Sequence, residues 1–131
     1  MKKLKILITG GAGYIGSMLS TKLINLGNLV TVIDILEYDT RSLSHLYLNK
    51  NFTFFKKDVR DKKFLKKIIK NFDYVIPLAG LVGAPLCEKR KKDAKEINLQ
   101  AVKHLVSILS KKQKIIFTNS NSGYGIGSKQ K

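Results

Sequence analysis

The stretch Ile6-Leu7-Ile8-Thr9-Gly10-Gly11-Ala12-Gly13-Tyr14-Ile15-Gly16 constrains this chain more than any other. A short apolar run, a glycine-rich turn and an amphipathic segment opening at Tyr14 read as a strand, a tight loop and the start of a helix. A phosphate pair can approach a backbone only where no Cβ intrudes. Gly10, Gly11 and Gly13 therefore predict a turn that cradles phosphate, and Gly16 predicts a helix lying close on the strand. The helix N-terminus adds N–H groups with no intrahelical partner and a partial positive charge. The spacing fits both Gly10-x-x-Gly13-x-x-Gly16 and Gly11-x-Gly13-x-x-Gly16, and a glycine turn of no function would leave the same letters. The flanks have to decide.

They alternate strand and helix. Leu4 to Thr9 is apolar apart from Lys5, as expected of a strand buried on both faces. Ile15, Met18, Leu19, Leu23 and Leu26 recur at helical spacing and predict the buried face of a first helix that Gly27 ends. Leu29 to Asp34 is a second strand closing on an acid, followed by a short helix around Ser42 to Leu48. Phe52 to Phe55 is a third strand. Asp61 then caps a helix that turns Phe64, Leu65, Ile68 and Ile69 inward and a lysine row outward. Tyr74 to Leu78 is a fourth strand, running into a small-residue loop from Ala79 to Pro85. A long helix from about Asp93 to Leu109 and a fifth strand from Lys114 to Thr118 follow, and residues 119–131 read as loop.

Such alternation implies right-handed crossovers and an α/β fold, a doubly wound parallel sheet with helices on both faces. The expected strand order is 3-2-1-4-5, in one domain spanning residues 1–131. Ligands of such sheets lie beyond the carboxyl ends of the strands, at the switch point between the first and fourth.

The residues suggestive of binding fall at those ends. Asp34 lies 24 positions after Gly10, where a carboxylate can accept both ribose hydroxyls of an adenosine and repel a 2′-phosphate, which favours NAD over NADP. Asp58 and Val59 follow the third strand and can flank an adenine, or serve only as a strand-end turn. Leu78, Ala79 and Gly80 offer small residues past which a cofactor can run, or a loop kept small for packing. Asn98 shares a helix face with Ala94, Ile97, Ala101 and Leu105. An unpaired amide there would cost about 1–3 kcal/mol, so Asn98 is expected to bond backbone near the strand ends.

Composition narrows the partners. The net charge of +16 comes almost wholly from lysine, with Arg41, Arg60 and Arg90 the only arginines. Base readout and bidentate phosphate gripping favour arginine, and the lysines are scattered over solvated faces, so a nucleic-acid site is the weaker reading. No apolar run approaches the ~20 residues of a membrane span, and Met1-Lys2-Lys3 leads straight into a strand, not into a secretory signal. The single cysteine, Cys87, fits a reducing cytoplasm and has no neighbouring histidine to make it a nucleophile. No cluster has metal-ligand spacing.

Taken together, Thr9 to Gly16, Asp34, Asp58-Val59-Arg60-Asp61, Leu78-Ala79-Gly80, Asn98 and Ser120-Asn121-Ser122-Gly123-Tyr124-Gly125 resemble the extended short-chain dehydrogenase/reductases. More narrowly, the set is similar to the NAD-dependent epimerase/dehydratase family that acts on nucleotide sugars, in its amino-terminal part. The resemblance implies a Rossmann-like NAD-binding fold. It places Gly10, Gly13, Tyr14, Ile15 and Gly16 at the dinucleotide, Asp34 on the adenosine ribose, and Asp58 and Val59 at the adenine, with Leu78, Ala79, Gly80 and Asn98 completing the cofactor site. It also matches Ser120 to the family's catalytic Ser/Thr. Tyr124 is not the family's catalytic tyrosine, which lies in a Tyr-x-x-x-Lys motif some way further along; the sequence stops before it, so the expectation is a part truncated before the substrate lobe. Pro77, where the family more often has His, and Gly80, where Ala is common, depart from its pattern.

A serine orients a hydroxyl but does not replace a general base. The expectation is thus a cofactor half with one catalytic hydroxyl and an incomplete active site. The alternative from another class is a stand-alone nucleotide-binding module that recruits a protein partner, or itself, through the exposed edge of the fifth strand.

Overall fold

The computed structural model describes residues 3–38 and 41–119. Five parallel strands form one sheet: β1 (Lys5–Thr9), β2 (Leu29–Asp34), β3 (Phe52–Lys56), β4 (Tyr74–Pro77) and β5 (Lys114–Ile115), in the order β3-β2-β1-β4-β5. Helix α1 (Tyr14–Asn25) joins β1 to β2, and α2 (Lys62–Ile68) joins β3 to β4. The connection from β4 to β5 carries α3 (Ala84–Lys89), α4 (Lys91–Lys95), a π-helical stretch over Glu96–Ala101, and α5 (Val102–Ile108). A single 3-10 turn at Ser44–Leu46 is all that forms of the short helix expected between β2 and β3.

The central strands alternate their side chains between two cores, as the pleat requires. On one face Ile6, Ile8, Val30, Val32 and Ile76 pack with Ile24 of α1 and with Leu43 and Leu46. On the other, Leu7, Ile33 and Val75 pack with Leu65, Ile69, Ile97 and Leu105. Because both faces are covered, β1 and β2 read as largely apolar runs, interrupted only by Thr31 between the polar residues Lys5, Thr9 and Asp34 at their ends.

Local chemistry sets the helix ends. Gly27, at φ +83°, lets the chain turn back after α1: its N–H donates to the Ile24 carbonyl and that of Asn28 to the Leu23 carbonyl, a Schellman closure. The Asp61 side chain accepts from the Phe64 N–H at 3.0 Å and caps α2 as expected.

Four expectations change. The buried face of α1 is Gly16, Ser20 and Ile24, with Leu19 and Leu23 at its margin, whereas Ile15 and Met18 are each 61% exposed and Leu26 is 65% exposed. Small residues make this contact: a Cβ on Gly16 would lie 2.5 Å from the Gly11 Cα, so the helix touches the glycine turn itself. Counting bulky apolar residues selects the wrong stripe for a helix seated that closely. The second change is α3, a helix beginning at Ala84 with Pro85 in its first turn, where a loop was expected. Third, the long helix is interrupted by the π-helical stretch around Asn98. Fourth, β5 ladders only through Ile115, although the Ile116 N–H still donates to the Val75 carbonyl at 3.0 Å.

Candidate functional site

The site forms where β1, β2, β3 and β4 end side by side, with Thr9 in register with Ile33 on one side and Pro77 on the other. The turn after β1 is held by its neighbours. The Gly10 N–H donates to the Ile33 carbonyl at 2.8 Å, and the Gly13 N–H returns to the Gly10 carbonyl at 3.2 Å. Gly10 has φ +72°, and a Cβ there would meet the Ala79 nitrogen at 2.4 Å. A Cβ on Gly11 would strike the Val32 side chain at 2.6 Å, whereas one on Gly13 would meet only the Gly10 carbonyl oxygen, at 3.3 Å. The glycines thus divide the work differently from the sequence expectation. Gly10 and Gly11 admit neighbouring protein, whereas Gly13 is exposed at the N-cap of α1 with little packed against it.

Asp34 ties this turn to the end of β2. One carboxylate oxygen accepts the Ala12 N–H at 2.9 Å and the other accepts the Leu36 N–H at 2.8 Å. Leu36 has φ +59°, a left-handed conformation that costs a non-glycine residue roughly 1–2 kcal/mol. The Asp34 bond holds it there, at the wall of the cleft.

That cleft, open to solvent, is lined by Gly10, Ala12, Gly13, Ile33 to Tyr38, Lys57, Asp58, Val59, Leu78 to Leu81 and Ile97. It brings together eight of the residues expected from the sequence: Gly10, Gly13, Asp34, Asp58, Val59, Leu78, Ala79 and Gly80. Tyr14, Ile15, Gly16 and Asn98 stand outside the lining. Tyr14 is 83% exposed on the first turn of α1, and Gly16 is buried beneath the turn. Asn98 is not on an inward face: it lies at the surface, and its amide clasps one backbone unit. Its Oδ1 accepts the Leu81 N–H and its Nδ2 donates to the Leu81 carbonyl, both at 2.8 Å. The expected bond to strand-end backbone is therefore made, and it fixes the loop that carries Ala79 and Gly80. Ser120 lies outside the described residues.

Asp58 is gripped by its own neighbour. The Arg60 Nε donates to both carboxylate oxygens at 3.0 and 3.1 Å, Nη2 donates at 2.7 Å, and the Arg60 backbone N–H adds a fourth bond at 2.8 Å. These bonds hold the Asp58 carboxyl below its ordinary range, against the opposing effect of partial burial, so Asp58 is an acceptor at neutral pH. Arg60 reaches on to Asp93 at 2.9 Å and Glu96 at 3.1 Å. These partners, and the pair between Arg90 and Glu37, are absent from the sequence reading, since nothing in local spacing links residues 53 positions apart.

A glycine turn opening on a helix N-terminus, an acid at the next strand end and a second acid beyond the third thus line one trough at the carboxyl ends of the strands. Over residues 6–131 the chain matches the family model of the NAD dependent epimerase/dehydratase family. The chain belongs to the NAD-dependent epimerase/dehydratase family. Among curated relatives of this family, a UDP-N-acetyl-alpha-D-glucosaminuronate decarboxylase from Bacillus cytotoxicus is 32% identical over 129 residues, which is 98% of this chain and 40% of the relative. Among solved structures, a UDP-N-acetylglucosamine 4-epimerase from Methanobrevibacter ruminantium, in complex with UDP-N-acetylmuramic acid, is 32% identical with a TM-score of 0.86. It is matched over 99% of this chain and 42% of its own. A UDP-glucose 4-epimerase from Bifidobacterium longum, in complex with NAD+ and UDP, is 28% identical with a TM-score of 0.79, over 92% of this chain and 38% of its own. The chain thus spans about two-fifths of the length of the epimerase/dehydratase relatives it matches. Among the described residues no helix is long and apolar enough to cross a membrane, and no group of three His, Cys, Asp or Glu could hold a metal ion.

Proposed function

We propose that these residues bind NAD, as the cofactor-holding part of an oxidoreductase acting on a nucleotide sugar. The observation that carries the reading is Asp34. Its two oxygens are engaged by the Ala12 and Leu36 N–H groups, which fixes the carboxylate at the lip of the cleft while each oxygen keeps a lone pair for a ribose hydroxyl. A 2′-phosphate brought to the same place would meet a fixed negative charge, which favours NAD over NADP.

The remaining residues take their roles from position. Gly13 leaves room for the pyrophosphate at the N-terminus of α1, where Tyr14, Ile15 and Gly16 present first-turn N–H groups. Asp58 and Val59 flank the adenine, Asp58 accepting from its amino group. Leu78, Ala79 and Gly80 line the path toward the nicotinamide, held in place by Asn98 through Leu81. NAD supplies the hydride acceptor when bound. The chain's own residues bind it, orient it and shield its adenosine half.

Ser120 supplies a hydroxyl that orients the substrate alcohol. Hydride removal from that alcohol also needs a base, and no Tyr-x-x-x-Lys occurs within the 131 residues. These residues therefore bind the cofactor without completing the reaction. Calorimetric titration with NAD and NADP tests the reading. NAD binding that falls on Asp34→Ala, with NADP bound more weakly than NAD, supports it; equal binding of both overturns the assignment of Asp34. Epimerase turnover by the 131 residues would overturn the claim of incompleteness.

A further inference from the structure

Two residues of the cleft wall, Glu37 after β2 and Asp58 after β3, are the ends of one continuous chain of ion pairs. Glu37 Oε1 accepts from Arg90 Nη1 at 2.5 Å, and Arg90 grips Asp93 through Nη2 at 2.9 Å and Nε at 3.0 Å. The other Asp93 oxygen accepts from Arg60 Nη1 at 2.9 Å, and Arg60 closes on Asp58. Glu96 joins at Arg60. Each of these side chains is only about a third exposed, at 33–38%. An isolated surface pair loses much of its Coulomb energy to screening and to the entropy of holding two long side chains. Here each arginine is already fixed by one carboxylate when it meets the next, so later pairs add with less ordering. Arg90, Asp93 and Glu96 recur every third residue from the start of α4, which turns them toward the strand ends together.

We propose that this chain is a clasp that sets the adenosine wall of the cleft before any ligand arrives, with Arg60 and Arg90 as positioning residues that do not touch the dinucleotide. The inference rests on the NAD reading above for its ligand, though not for its mechanics. It assigns a purpose to the contact between the β4–β5 connection and two strand-end loops. Val59, only 8% exposed, lies between Asp58 and Arg60 in the chain, and the strained Leu36 adjoins Glu37; both line the cleft, so spreading the clasp moves the surfaces that would enclose an adenine. A wall held in advance spares the ligand the ordering of two loops, which raises affinity without a new contact. Four carboxylates against two guanidiniums leave the clasp itself net negative, while Lys57 adds a positive charge to the cleft lining beside Asp58.

The experiment compares wild type with Arg90→Gln, Asp93→Asn and Arg60→Lys, using NAD, AMP and nicotinamide mononucleotide as separate probes. The clasp predicts that Arg90→Gln and Asp93→Asn weaken NAD and AMP together by about two- to fivefold and leave nicotinamide mononucleotide unchanged. Arg60→Lys, which keeps the charge but not the fork, should retain part of the affinity, and Glu37→Gln combined with Arg90→Gln should be no weaker than the worse single variant. Unchanged AMP binding, or equal losses for AMP and nicotinamide mononucleotide, would overturn the clasp. If wild type binds neither NAD nor AMP the cofactor reading fails by itself, and amide hydrogen exchange of the unliganded protein decides the clasp. Faster exchange at Leu36 and Val59 in Arg90→Gln supports it, and unchanged exchange overturns it.

Discussion

Gly10 and Ala79 approach until no side chain fits between them: a Cβ on Gly10 would stand 2.4 Å from the Ala79 nitrogen and 2.5 Å from its Cα. The contact joins the ends of β1 and β4 at the switch point of the sheet and determines how closely the two walls of the cleft stand. Since Gly10 also has φ +72°, Gly10→Ala combines backbone strain with overpacking against rigid main chain. A loss of about 2–5 kcal/mol in urea unfolding is expected. Gly13→Ala, with 3.3 Å to its nearest neighbour, should leave stability within about 1 kcal/mol and lower dinucleotide affinity instead.

Asp34→Asn separates the two roles of that side chain. The amide keeps one acceptor oxygen for Ala12 or Leu36 and presents N–H donors to the other N–H. Removing a charged acceptor from a part-buried N–H should reduce stability by about 1.5–3 kcal/mol. The same change removes the charge opposed to a 2′-phosphate, so the ratio of NAD to NADP affinity should fall. Denaturation curves and paired titrations measure the two effects separately.

Asn98→Ala should destabilise by about 1–3 kcal/mol, because it strips partners from both the Leu81 N–H and the Leu81 carbonyl. Asn98→Asp keeps the acceptor, loses the donor and should fall between the two. Thermal unfolding of the three proteins tests the order.

The grip of Arg60 on Asp58 gives stability a defined dependence on pH. The folded carboxyl has a pKa below its ordinary value of 3.8, so the unfolded chain binds more protons in acid. The stabilisation is fully present above that value and disappears as pH falls through the lower, folded one. Arg60→Gln should flatten the acid limb of the stability curve below pH ~4 and leave its slope near neutrality unchanged. Chemical denaturation at a series of pH values reads this directly.

The sheet and its order were legible because its central strands are long apolar runs punctuated by Gly27, Asp34 and Asp61, whose turn and cap chemistry is local. Asp34, Asp58 and the small loop after β4 were legible for the same reason, since each ends a strand. The face of α1 was not, because Gly16 and Ser20 make its closest contacts and leave no apolar signal. The roles of Gly10 and Gly11 depend on Ala79 and Val32, which only the fold brings near. The ion pairs among Glu37, Asp58, Arg60, Arg90, Asp93 and Glu96 join two strand-end loops to the α4 region, and among many lysines and acids the sequence gives no reason to select them.

The most direct test of the central claim is residue-resolved: amide chemical shifts of the isotopically labelled chain, followed as NAD is added. Binding as described predicts perturbations concentrated at Gly11 to Gly16, at Asp34 to Glu37 and at Asp58 to Arg60, weakened by Asp34→Ala. Shifts confined to other surfaces, or none at NAD concentrations well above the millimolar range typical of weak nucleotide binding, would contradict it.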